Sequence, residues 1–339
     1  MSKTVDTAVV GATGAVGEAM IEILEERNFP VGKLYLLASE RSEGKRLQFR
    51  GQHVKVERLD QFDFNKAKLG LFSAGGPISE IYAPKAGKAG CIVVDNTSHF
   101  RMEKEIPLIV PEVNPHRLGD FRKHNIIANP NCSTIQMVVA LKPIHDAVGI
   151  TRINVATYQA VSGAGGGGVR ELAGQTTAIL NTKPVESKVM PVQIAFNAIP
   201  QIADFLDNGY TKEEMKMVLE TRKILEDDDI QVNPTCVRIP VFFGHSEAVH
   251  FETKKPISVA DTRQLLEKAP GVVMMEGNSY PTPALNAAGT DPVFVGRLRK
   301  DLSHPNGLSM WVVSDNVRKG AALNSVQVAE LLLSEGHFG

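Results

Sequence analysis

The stretch "VVGATGAVGEAM", residues 9–20, constrains this chain more than any other. It sets Gly11, Gly14 and Gly17 at G-x-x-G-x-x-G spacing between a strand-like run, "TVDTAVVG", and a helix-like run, "AVGEAMIEILEERN". Val16, Met20, Ile23 and Leu24 share one side of that helix. Glycines allow a tight turn and let backbone approach a pyrophosphate, while the helix N-terminus offers N–H groups and a favourable dipole. A glycine turn that merely packs a strand on a helix uses the same residues. The strand before and the helix after favour a dinucleotide site built from Gly11, Thr13, Gly14, Ala15, Val16 and Gly17.

The runs "KLYLLAS", "HVKVERL", "LGLFSAG", "CIVVDNTS" and "NIIANP" follow as further strands. Several are apolar throughout, as parallel strands covered on both faces are. This pattern predicts a Rossmann-type, doubly wound α/β domain over residues 1–130. Beyond Cys132 the chain changes character. "TRINVATYQAVSG" reads as a strand, and the glycine run "GAGGGGVREL" reads as a break that loosens the loop after Gln159. Pro184, Pro191 and Pro200 mark loops, "TKEEMKMVLETRKIL" a helix, and "PTCVRIPVFFGHSEAVHFET" alternating strands. "SVADTRQLLEKA" is a helix with Ser258 or Asp261 as cap. Residues 131–316 are thus a second, α+β domain with a mostly antiparallel sheet, and the helix in 317–339 returns to the first.

The 339 residues, 43% hydrophobic and 22% charged, supply ample core for two domains. A formal net charge of −1 provides no global field for nucleic acid or an acidic membrane surface, so neither is expected as partner. Cys91, Cys132 and Cys236 are too few and scattered for a disulfide framework or a zinc site, and no metal is expected. The opening "MSKTVDTAVVGATG" lacks an apolar core behind a basic head, and no run approaches the roughly 18 apolar residues that span a bilayer. The expected compartment is the cytoplasm, which keeps thiols reduced.

The end of the second strand chooses between nicotinamide cofactors, because a carboxylate there bonds ribose hydroxyls whereas arginine accommodates a 2′-phosphate. In "LLASERSEGKRL", Ser39, Arg41 and Ser42 offer hydroxyls and a fixed cation beside an ambiguous Glu40, which favours NADP over NAD. "LFSAGGPIS" ends a strand in a small-residue loop, where Ser73 and Gly75 either pass a cofactor or simply make a turn.

"IIANPNCSTIQMVVAL" puts Cys132 at the start of a predicted helix, where dipole and N–H groups stabilise a thiolate and hold an oxyanion. A small residue fitting a tight turn is the alternative. Cys91 and Cys236 read as buried hydrophobes.

"GATGAVG", "NPNCST", "TYQAVSGAG" and the R-x6-H of "RIPVFFGH" occur together and in order, with "SAGG", "DNTSHFRM", "VPEVN" and "DNVRKGAALN". Along nearly its whole length the chain resembles the aspartate-semialdehyde dehydrogenases. The resemblance implies that Cys132 is the nucleophile, His245 the acid/base and Gln159 the substrate-orienting amide, with Arg238 clamping the substrate carboxylate. It further implies that Arg101, Lys223 and Asn131 contact phosphate, that Glu220 lies beside the substrate ammonium, and that Gly163 and Asn324 join the cofactor set. Without it, Glu220 and Lys223 read as a surface ion pair on one helix face. His250, facing opposite to His245 at strand period, reads as structural.

The implied reaction is NADPH-dependent reductive dephosphorylation of L-aspartyl-4-phosphate to L-aspartate 4-semialdehyde through a cysteine thioester, on the route to lysine, threonine and methionine. A homodimer formed through the second domain is implied as well. Two rivals remain. One is an N-acetyl-γ-glutamyl-phosphate reductase, whose acetylated substrate has no ammonium for Glu220. The other is a silent NADP-binding homologue, against which Cys132, Gln159, Arg238 and His245 are all present.

Overall fold

Residues 5–10 form strand β1 (Val5–Val10), in which only Asp6 escapes full burial. The computed structural model describes residues 4–338. A turn at Gly11 (φ 85°) leads into α1 (Ala15–Glu26), which buries Gly17, Met20, Ile21, Ile23 and Leu24. Then follow β2 (Val31–Ala38), β3 (Arg46–Phe49), β4 (Gln52–Arg58), β5 (Leu69–Phe72), α2 (Gly76–Lys88), β6 (Ile92–Asp95) and β7 (Ile126–Ala128). They make a seven-stranded sheet of order β3-β4-β2-β1-β5-β6-β7, parallel except where β3 pairs with β4. All of β5 and β6 is buried, which accounts for their unbroken apolar runs.

Two elements here depart from the sequence expectation. β3 forms because Arg50 and Gly51 both take positive φ (49° and 72°), the geometry of a two-residue hairpin whose twist matches its strands. α2 forms although Pro84 lies inside it and its residues are mostly small.

The second unit, Asn131–Gly320, contains α3 (Cys132–Val148), β8 (Ile150–Gln159), α4 (Gly165–Leu180), α5 (Lys212–Leu225), β9 (Gln231–Arg238), β10 (His245–Thr253), α6 (Val259–Glu267), β11 (Val272–Met274), β12 (Val293–Lys300) and β13 (Gly307–Ser314). Its six strands run in the order β11-β12-β13-β10-β8-β9. The central pairs are antiparallel, and β8–β9 and β11–β12 are parallel. α3 is buried from Ser133 through Leu141 and packs on β10, β13, β12 and β8, with α5 and α6 beside it. α5 starts at a capping box between Thr211 and Glu214, and Ser258 caps α6.

The glycine run corrects an expectation. It opens helix α4 instead of a loose loop. Gly168 lies so close to the Val161 carbonyl that a β-carbon would come within 2.5 Å of the oxygen, so glycine here serves packing. The chain ends with α7 (Leu323–Ser334), which belongs to the first unit, Met1–Pro130 with Ala321–Gly339, and packs against α1 and β6. Among the described residues no helix is long and apolar enough to cross a membrane.

Candidate active site

Asn131 caps α3, its Oδ1 accepting from the N–H groups of Ser133 (3.0 Å) and Thr134 (3.2 Å). Cys132 is therefore the first residue of a 17-residue helix. It is half-buried, whereas Cys91 and Cys236 are buried. Burial pushes the Cys91 thiol up to about 12 and raises that of Cys236 as well, which leaves both protonated and inert. Because the cap consumes two first-turn N–H groups, those two are not available to an oxyanion.

The last residue of β8, Gln159, pairs in register with the last residue of β9, Arg238, and β10 begins at His245. Three strand ends thus bring three functional side chains to one edge of the sheet. All three are buried. The Ala160 backbone ties two of them together. Its N–H donates to His245 Nδ1 (3.0 Å), and its carbonyl accepts from Arg238 Nη1 (2.7 Å). Since Nδ1 accepts, the neutral His245 ring carries its hydrogen on Nε2. Burial, assisted by the Arg238 charge, holds the ring down to about 3, so it is neutral near neutral pH. Gln159 Oε1 accepts from Thr157 Oγ1 (2.9 Å), and its Nε2 lies 3.4 Å from His245 Nε2.

α5 supplies two carboxylates seven positions apart on one face. Glu220 Oε2 accepts from the Asn131 backbone N–H (2.6 Å), and Glu213 Oε1 accepts from Asn131 Nδ2 (2.8 Å) and Gln159 Nε2 (3.2 Å). Glu220 is 1% exposed, which overturns the surface-pair reading, and Lys223 one turn on is half-buried. Glu213 escaped the sequence reading. As the middle residue of "KEE" in a capped first turn it looks like an ordinary partner for the helix dipole. Its spacing of seven from Glu220 was the available signal.

Other motif residues shape the same site. Asn316 Oδ1 accepts from Ser162 Oγ (3.0 Å) and from the Gly244 N–H (2.9 Å), joining the segment after Gln159 to the turn before His245. Gly163, expected to serve the cofactor, lies against Arg238 and His245. A β-carbon there would sit 2.8 Å from Arg238 Nη1 and 3.4 Å from His245 Nε2. His250 is partly buried and bonded to Ser309 Oγ (2.8 Å), a structural placement.

In the first unit, a β-carbon on Gly17 would meet the Gly11 carbonyl oxygen at 2.2 Å, and one on Gly11 the Ser73 carbonyl carbon at 2.9 Å. These glycines give the turn its shape, and the start of α1, with Thr13, Gly14, Ala15 and Val16, is left accessible in part. The turn and helix N-terminus fit a pyrophosphate. Ser39 and Arg41 are exposed, while Ser42 is buried with its Oγ 3.2 Å from Thr13 Oγ1. Glu40 turns to Arg58 (3.0 Å). Ser73 Oγ donates to the Val10 carbonyl (3.2 Å), and Gly75 caps α2 with φ 95°. Asn324 is buried and donates from Nδ2 to Asn129 Oδ1 (2.7 Å) and to the Ile109 carbonyl (3.0 Å). Arg101 is buried, with Nη2 on the Asn96 carbonyl (3.0 Å).

An α/β unit with a glycine turn at a helix N-terminus, followed by an α+β unit that brings histidine, glutamine and arginine together, is the two-part build of a nucleotide-dependent dehydrogenase. Residues 6–121 match the family model "Semialdehyde dehydrogenase, NAD binding domain", and residues 141–319 match "Semialdehyde dehydrogenase, dimerisation domain". The chain is 60% identical over 336 residues to the aspartate-semialdehyde dehydrogenase of Shewanella violacea, covering 99% of each. The solved aspartate semialdehyde dehydrogenase II of Vibrio cholerae, complexed with ASA, superposes with a TM-score of 0.98 at 58% identity, over 99% of this chain and 100% of that one. That of Candida albicans with NADP superposes at 0.77 with 25% identity, over 97% and 98%. The chain belongs to the aspartate-semialdehyde dehydrogenase family.

Proposed function

We propose that this chain catalyses the NADPH-dependent reductive dephosphorylation of L-aspartyl-4-phosphate to L-aspartate 4-semialdehyde. One observation carries the reading: Arg238, His245 and Gln159 converge through the Ala160 backbone and Glu213 on the capped helix that begins with Cys132. The Cys132 thiolate attacks the acyl carbon, and the C–O bond to phosphate breaks as the C–S bond forms. The departing phosphate keeps the electron pair and takes a proton from solvent. NADPH, when bound, supplies the hydride that reduces the thioester carbon. The His245 Nε2–H donates to the carbonyl oxygen as negative charge gathers there, and cleavage of the C–S bond then frees aldehyde and restores the thiolate.

Arg238 spends one donor on Ala160 and offers the rest of its fork to the substrate carboxylate. Arg101, Lys223 and the remaining Nδ2 hydrogen of Asn131 serve phosphate, and Glu220 serves the ammonium. Gly11, Thr13, Gly14, Ala15, Val16 and Gly17 hold the pyrophosphate, with Ser73, Gly75, Gly163 and Asn324 completing the cofactor set. Exposed Ser39 and Arg41, with Ser42, receive the 2′-phosphate, and engagement of Glu40 by Arg58 supports NADP over NAD. Residues 131–316 form the catalytic and homodimerisation domain, in the cytoplasm. Exposed Leu180, Val192, Phe196 and Phe205 support pairing with a second copy.

The test mixes purified protein with L-aspartate 4-semialdehyde, phosphate and NADP and follows nicotinamide absorbance, with Cys132→Ser, NAD and N-acetyl-glutamate semialdehyde as comparisons. Phosphate-dependent NADPH formation lost in the variant is expected. Silence from folded, NADP-binding protein overturns the enzyme reading.

A further inference from the structure

In the first unit, a row of three asparagine side chains ties α7, the end of β7 and the end of β6 together. Asn324 donates from Nδ2 to the Ile109 carbonyl (3.0 Å) and to Asn129 Oδ1 (2.7 Å). Asn129, just past β7, donates in turn from Nδ2 to Asn96 Oδ1 (2.7 Å) and more loosely to the Ala321 carbonyl (3.5 Å). The row has a fixed direction. The Ile109 and Ala321 carbonyls can only accept, so they place the nitrogens of Asn324 and Asn129, and Asn96 meets its neighbour with oxygen. Asn129 and Asn324 are fully buried, where an amide that loses its partner costs more than the bond it made. The Asn129 main chain repeats the tie, its N–H donating to the Asp95 carbonyl (2.8 Å).

Asn96 is also the residue whose carbonyl accepts from Arg101 Nη2 (3.0 Å). The bend between them is held at its other side by the Asp95 carboxylate, which accepts from Ser79 Oγ (2.7 Å), the Thr97 N–H (3.1 Å) and Thr97 Oγ1 (2.8 Å). Asp95 thus fixes Thr97, and Asn129 fixes Asn96. We propose that Asn129 is a positioning residue for phosphate use: by holding the Asn96 side chain, and with it the carbonyl that Arg101 grips, it sets where the Arg101 guanidinium stands. Being fully buried, it has no surface to offer a ligand and acts through Arg101 alone. A guanidinium recognises phosphate with a rigid planar fork, so a shift of its support costs contacts to that anion before it costs anything elsewhere.

This inference rests on the assignment of Arg101 to phosphate. Wild type, Arg101→Ala, Asn129→Leu and the double variant are therefore assayed together in the semialdehyde, phosphate and NADP reaction. Asn129→Leu keeps a similar size and removes both ends of the amide. It is expected to lower kcat/KM for phosphate about fivefold or more, with kcat/KM for semialdehyde kept within about twofold. In the Arg101→Ala background the same substitution is expected to change kcat/KM for phosphate by less than about twofold, because the group it acts through is gone. A merely structural Asn129 would lower the melting temperature, touch both substrates alike and add its full effect to that of Arg101→Ala. If Asn129→Leu fails to fold, Asn96→Ala, which removes the acceptor at the end of the row and leaves the carbonyl, is read by the same two criteria. Use of phosphate within about twofold of wild type, equal losses for both substrates, or additive losses in the double variant overturn the positioning role alone. Arg101→Ala with wild-type use of phosphate overturns the phosphate assignment and this inference together.

Discussion

The backbone of Gly320 is packed directly against Cys132. A β-carbon on residue 320 would lie 2.7 Å from the Cys132 β-carbon and 3.2 Å from its α-carbon. No flexible side-chain end is available to yield, so any larger residue must displace the first residue of α3 or the turn that precedes α7.

Gly320→Ala is therefore expected to disable the nucleophile more than the fold. Overpacking of this kind costs about 1–3 kcal/mol of stability. A displacement near 1 Å at a reacting group costs about a hundredfold in rate. Steady-state kinetics beside thermal unfolding separates the two effects, and the iodoacetamide reaction rate of Cys132 reports the thiol itself. Full activity and unchanged alkylation in the variant would mean that the backbone shifts without moving the sulfur.

His245 should leave a mark on stability as well as on rate. In the unfolded chain its ring takes a proton near 6.5, while in the folded chain burial holds it to about 3. Below pH 6.5 the unfolded state binds the extra proton, so the folded state loses up to roughly 1.4 kcal/mol per pH unit. Glu213 adds a loss in the same direction only below about 4.5, where its unfolded carboxyl takes up a proton that the folded one does not. Between those values the histidine acts without it. Urea unfolding of wild type and His245→Asn from pH 7 to pH 5 is expected to show wild type losing ground as pH falls. Parallel stability curves would mean that the ring protonates as readily folded as unfolded.

Arg41 is the sharpest test of cofactor choice. It is exposed at the end of β2 while neighbouring Glu40 is engaged by Arg58. Arg41→Ala is expected to weaken NADP binding about tenfold and NAD binding little, because only the former has a 2′-phosphate to lose. Equal loss for both cofactors, measured by fluorescence titration, would move the phosphate contact elsewhere.

How far the sequence reveals the molecule depends on whether the cause is local. β1, β2, β5 and β6 are legible because burial on both faces forces apolar runs, Ala8–Val10 and Leu34–Ala38 in the first two and nearly the whole strand in the others. β3 is not, since "RLQF" is a short edge strand fixed by the left-handed pair Arg50–Gly51. α2 hides behind Pro84, and α4 behind glycines that read as a breaker until Gly168 is seen against Val161. At the site, the order of motifs shared with the family points to Cys132, Gln159, Arg238 and His245, which residue type alone leaves open. Glu213, Asn316 and Gly320 act through neighbours distant in the chain. Apart from its spacing of seven from Glu220, nothing local distinguishes a carboxylate that accepts from two amides from one that decorates a helix start.

Glu247 lies two residues beyond His245 on β10 and is fully buried. Neither carboxyl oxygen has a hydrogen-bond partner, and Gln136 is close enough to offset little of the burial that raises its pKa well above the usual range. Burial makes the folded protein hold this proton to higher pH than the unfolded chain, which gives it up near 4.5. Each pH unit above that value favours the unfolded state by up to roughly 1.4 kcal/mol, until the folded pKa is reached. Glu247→Gln retains the shape and removes the titration. Its stability relative to wild type is expected to rise as pH is raised from 4.5 in urea unfolding, with His245-dependent activity retained. A relative stability that does not change with pH would mean that Glu247 is ionised in the fold and holds a partner for its charge.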